Sequence, residues 1–168
     1  MSSSNPATSS TPAKHVTPTD TVDERKSNGH KCQTVLEHLY DSYNGYKACA
    51  EDCTDTVLQT VSQTAAKIRL DFIGQLSSVI RNELGLEPVT SSSGLGTAHQ
   101  TWVDVKAWST DGRGKAAAVA EVHRSETHLI HQYEVALSEA KLLNEKVREV
   151  LQKQLKTVQE QDATICVL

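Results

Sequence analysis

Aromatic side chains are scarce in this 168-residue chain, at 4%, with a single Phe and two Trp. A core must therefore be assembled from Val, Leu, Ile and Ala. Basic residues are not in excess either. Lys plus Arg number 17 against 21 Asp plus Glu, a net charge of −4, so nucleic-acid binding lacks its usual electrostatic driver. No apolar run approaches the roughly 18 to 20 residues of a membrane span. The opening MSSSNPATSSTPAKHVTPTD has neither the apolar stretch of a secretory signal nor the Arg-rich amphipathic pattern of a mitochondrial transit peptide. Four cysteines are too few for a disulfide scaffold. The expected setting is reducing and cytoplasmic, with neither nucleic acid nor membrane as partner.

Proline is also unevenly placed. Residues 1–30 hold six Ser, five Thr and three Pro with no hydrophobic period, and their charges cancel. They read as a disordered, solubilising tail, in which Thr11-Pro12 and Thr17-Pro18 have the form of proline-directed phosphosites. Residues 31–168 contain one proline, Pro88, which suits long helices interrupted once.

Four apolar stripes at helical spacing fill this second region. The first runs through Cys32, Leu36, Leu39, Tyr43, Tyr46, Ala50 and Cys53. The second passes Val57, Val61, Ala65, Ile68, Phe72, Leu76 and Val79. The third joins Val119, Val122, Glu126, Leu129, Tyr133 and Leu137, and the fourth Val147, Leu151, Gln154, Val158 and Ile165. Thr54 and Asp55 can cap the second helix, Gly85 can end it, and residues 138–143 can turn the last pair. Between the hairpins, Thr97–Trp108 is apolar enough for a short helix inside a long crossover. Two antiparallel hairpins joined in this way define an all-α, antiparallel four-helix bundle of the ferritin-like arrangement.

Several spaced residues strengthen that expectation. Asp41, Gly45 and Tyr46 precede Cys49-Ala50-Glu51. Arg69 and Phe72 follow, then Gly96, His99 and Trp102 with Asp104 and Lys106. Glu121, Arg124 and Glu126 lead to Tyr133, Glu134 and Leu137, and Gln154 and Val158 close the series. In this order the chain resembles, over about residues 33–168, a mainly bacterial family of four-helix-bundle proteins of the ferritin-like superfamily. The resemblance implies the bundle fold and no particular activity. The chain departs from the family pattern at Gln75 and His123, where the family has Glu, and at Asp162, where it has His.

A ferritin-like di-metal core needs a Glu from each of two helices and Glu-x-x-His from the other two. None of the histidines at 15, 30, 38, 99, 123, 128 and 131 has Glu three residues before it. The reversed order His123-x-x-Glu126 remains, with Glu126 on the inward stripe and His123 about 60° around the helix. A carboxylate there must be paired or coordinated. One reading makes Glu51, His123, Glu126 and Asp162 a mixed N/O site for Fe, Mn or Zn. The other makes Glu126 part of a buried polar network with Gln154 and Tyr133, neutralised by Arg69 or Arg124. The second is the simpler.

Other constellations are weaker. Cys49 and Cys53 read as buried or half-buried thiols, and Cys166 is misplaced for a prenylation box. His128 and His131 fall opposite the stripe. His123, Ser125 and Glu126 share one helix and cannot form a nucleophile–base–orienter relay. The expectation is a non-catalytic bundle, either stress-related or a partner-binding scaffold, with a homodimer or another protein as partner. Divergent metal storage or redox protection is the alternative.

Overall fold

The computed structural model describes residues 18–92, 114–138 and 144–167, and within them four helices and no strand. These are α1 (Pro18–Asp52), α2 (Thr56–Leu84), α3 (Gly114–Ser138) and α4 (Glu145–Ile165). The boundaries follow local chemistry. Asp55 caps α2, its Oδ1 accepting from the Leu58 amide at 2.8 Å. Gly85 ends it in the left-handed region at φ 66°, where a Cβ would be strained. Asn144 caps α4 by accepting from the Lys146 amide at 2.9 Å.

Pairs across the helices fix the topology. Ser42 meets Glu126 and His38 meets His128, so α1 and α3 are antiparallel. Arg69 meets Gln161 and Glu83 meets Lys146, so α2 and α4 are antiparallel too. Each hairpin is antiparallel by its short link. The diagonal helices α2 and α3 therefore run the same way. Asp55 and Lys115, at their two N-termini, lie 3.7 Å apart. The chain leaves α2 at one end of the bundle and enters α3 at the other, as a long crossover requires. The crossover starts by packing back on α1. The Gln33 side chain donates to the Glu87 carbonyl at 2.7 Å and accepts from the Val89 amide at 2.9 Å. The expected short helix at 97–108 and the turn at 139–143 lie outside the described residues, as do residues 1–17 of the expected tail.

The first helix starts well before its apolar stripe. Residues 18–30 are helical, and Asn28 and Gly29 are buried. The partner is distant in sequence, since Leu86 of the crossover lies where a Cβ on Gly29 would point. The stripe on α4 is buried at every expected position. On α2, Ala65, Phe72 and Leu76 of the expected stripe are buried, but the buried face is wider and centred about one residue further on. Leu58, Ser62, Ala66, Arg69 and Ile73 also go inward, while Val57 stays half exposed.

Among the described residues the interior holds two apolar clusters. The larger includes Leu36, Leu39, Phe72, Leu76, Leu129, Tyr133 and Leu151. The smaller includes Tyr46, Cys49, Leu58, Ala65, Val122 and Ile165. A polar layer of Ser42, Arg69 and Glu126 separates them along α1, α2 and α3.

Candidate functional site

Arg69 stands at the centre of this layer and is fully buried. Its guanidinium contacts side chains from all three other helices. Nε donates to Ser42 Oγ on α1 at 3.1 Å, Nη2 donates to Glu126 Oε2 on α3, and Nη1 donates to Gln161 Oε1 on α4 at 2.6 Å. Ser42 closes the circuit by donating to Glu126 Oε1 at 3.1 Å. Both carboxylate oxygens are thus engaged. Tyr46 and Phe72 flank the cation, with ring centroids 5.6 and 5.9 Å from its central carbon, on which the scarce aromatics supply cation–π contacts. Burial pushes the Glu126 carboxyl up against the pull of Arg69 and Ser42. Burial, followed by the Glu126 charge, pushes the Tyr46 phenol well above its usual range.

A second buried network lies two turns along α3. Tyr133 donates to Gln154 Oε1 at 2.8 Å, and the Gln154 amide donates to the Phe72 carbonyl at 3.2 Å. Glu126, Tyr133 and Gln154 thus fall in two networks, each closed by α2. Arg69, not Arg124, answers Glu126. Arg124 instead pairs with Glu121 one turn away on its own helix.

At the rim, His123, Asp162 and Cys166 come together. His123 Nδ1 is 2.7 Å from Asp162 Oδ1 and 3.2 Å from Cys166 Sγ. Asp162 and Cys166 share a face of α4 one turn apart, and the Cys166 amide donates to the Asp162 carbonyl at 3.0 Å. Buried Val122 and Ile165, each next in sequence to one of the three, hold the two helices in this register. Desolvation and the Asp162 charge raise the Cys166 thiol.

The residues read from sequence as one metal set are therefore divided. His123 and Asp162 meet at the rim. Glu126 lies in the core with Arg69, and Glu51 is exposed at the end of α1. Cys166 joins the rim pair unforeseen, although its four-residue spacing from Asp162 was available as a signal. Arg69 was visible only as one of two candidate counter-ions. His128 is exposed, yet its ring meets that of His38 on α1 edge-on at 4.7 Å. Cys49 is buried and Cys53 half-buried, and neither is in a disulfide. Among the described residues no helix is long and apolar enough to cross a membrane.

Fold and site together define an all-α four-helix bundle centred on a guanidinium. The chain belongs to the family described as Domain of unknown function (DUF2383), whose model matches residues 29–139. The match takes in α1 from residue 29 onward, with α2 and α3, and ends before α4. No curated protein and no solved structure matches the chain.

Proposed function

We propose that this chain is a ferritin-like bundle with a non-catalytic core, working through its surface as a partner-binding scaffold. The observation that carries the reading is the Arg69 guanidinium. It sits among groups from the other three helices and uses both oxygens of the core carboxylate, directly and through Ser42. In di-metal bundles the central cations are metal ions held by carboxylates from the surrounding helices. Here a resident side chain supplies the positive charge, and both oxygens of Glu126 already accept a hydrogen bond. The up-down-down-up order of the helices supports the ferritin-like arrangement, and four cysteines outside any disulfide suit a reducing, cytoplasmic setting.

The test is aerobic oxidation of ferrous ion in the presence of the full chain. The proposal predicts the rate of buffer alone. Acceleration that disappears in Glu126→Ala would overturn it, because redox chemistry would then reside in the core. Sedimentation across a wide range of concentration checks whether a second copy of the chain is the partner.

A further inference from the structure

We propose that His123, Asp162 and Cys166 form a site for one divalent transition-metal ion of the zinc class at the rim of the bundle. The site is separate from the core and uses different groups. One atom from each residue converges, with all three atoms within 4.8 Å of one another. In tetrahedral zinc sites Zn–N and Zn–O are about 2.0 to 2.1 Å and Zn–S about 2.3 Å, which places ligand atoms roughly 3.3 to 3.6 Å apart. Here the separations are 2.7 Å for His123–Asp162, 3.2 Å for His123–Cys166 and 4.0 Å for Cys166–Asp162. Side-chain rotations of well under 1 Å at the ligand atoms reach the zinc values.

The pattern of contacts favours an ion over a catalytic relay. In a thiol–imidazole–carboxylate relay the thiol and the carboxylate use opposite ring nitrogens. Here both meet the same atom, Nδ1. Three unlike groups that converge in hydrogen bonds can be bridged by one cation, which takes the place of the protons that the imidazole and the thiol give up on binding. A nitrogen, an oxygen and a sulfur donor together suit Zn(II) better than Mg(II) or Ca(II), which prefer oxygen alone.

The surroundings leave room for a fourth ligand. His123 and Cys166 border an open groove of about 510 Å³, walled by Ala116, Val119 and Ala120 on one face of α3. His123 is half exposed at its side chain. The site is thus reached from solvent, with three protein ligands and one position for water or an added ligand.

The test is titration of the full chain with Zn(II), paired with Co(II) as a spectroscopic probe. One equivalent is expected, together with a thiolate-to-cobalt charge-transfer band. Cys166→Ser and His123→Asn both alter exposed side chains, so the helical circular dichroism should hold. Cys166→Ser should abolish the band, and each variant should weaken Zn(II) binding by about tenfold or more. The double variant Cys49→Ser/Cys53→Ser should retain both band and affinity. Absence of the band in the unaltered chain would overturn the proposal. So would its survival in Cys166→Ser, or its loss in the Cys49/Cys53 variant, either of which assigns the metal to other thiols.

Discussion

Arg69 on α2 and Glu126 on α3 form an ion pair across the middle of the bundle, with side chains 0% and 1% exposed. Such a pair is not a simple gain. Taking both charges out of water costs several kcal/mol per ion, and only close geometry with further hydrogen bonds offsets it. Those further bonds come from Ser42 and Gln161, so the pair is sound only when all four helices are in place. The polar layer lies between the two apolar clusters and ties together all four helices at one level.

Ser42 carries part of that load, since its hydroxyl accepts from Arg69 and donates to Glu126. Ser42→Ala should leave a buried donor and a buried acceptor each one partner short. The expected loss is about 1–3 kcal/mol, read as a lower midpoint in urea. A change of only a few tenths would mean that the layer accommodates the gap.

The second network predicts an order of effects. Tyr133→Phe leaves the Gln154 amide bonded to the Phe72 carbonyl and should cost about 1 kcal/mol. Gln154→Leu strands a fully buried phenol and should cost more, up to about 3 kcal/mol. A reversed order in denaturant unfolding would contradict this assignment.

His38 sets a dependence on pH. Burial, and secondly the nearby His128, lower its pKa below the ordinary 6.5, while Asp41 acts in the opposite direction. The unfolded chain therefore binds this proton more readily than the folded one. Stability from neutral His38 is fully present above about pH 6.5 and is lost as pH falls through the lower folded value. His38→Gln should flatten the unfolding free energy between neutral and mildly acidic pH. An unchanged slope would place its origin elsewhere.

Gly29 marks where the crossover lies against α1. A Cβ there would collide with the end of the Leu86 side chain. Gly29→Val should destabilise by about 1 kcal/mol, the low end for overpacking, because the end of the Leu86 side chain can move aside. Adding Leu86→Ala should recover part of that loss, which thermal unfolding of the single and double variants can measure.

Much of the fold was legible because helical periodicity, Asp55 and Gly85 act locally. The α4 stripe was read without error, since polar residues border it on both sides. The α2 stripe is legible at Ala65, Phe72 and Leu76 and off-centre elsewhere, because Val57, Val61 and Ile68 offer an apolar line beside Leu58, Ala66 and Ile73. The start of α1 is not legible because residues 18–30 carry no apolar period, and the contact of Gly29 with Leu86 is distant in sequence. Glu126 was recognised as a problem needing a counter-charge. That Arg69 would be the answer depends on a contact between helices, which no spacing within one helix encodes. The same holds for the approach of Cys166 to His123, 43 residues apart.

The most direct test of the account is a double-mutant cycle on Arg69 and Glu126, measured by denaturant unfolding. Arg69→Met alone and Glu126→Leu alone should each cost about 3–5 kcal/mol, because each leaves an uncompensated buried charge. The double variant should recover most of that loss, with a coupling of several kcal/mol. Additive losses in the double variant would show that the two residues do not depend on each other, and would contradict a core organised around the guanidinium.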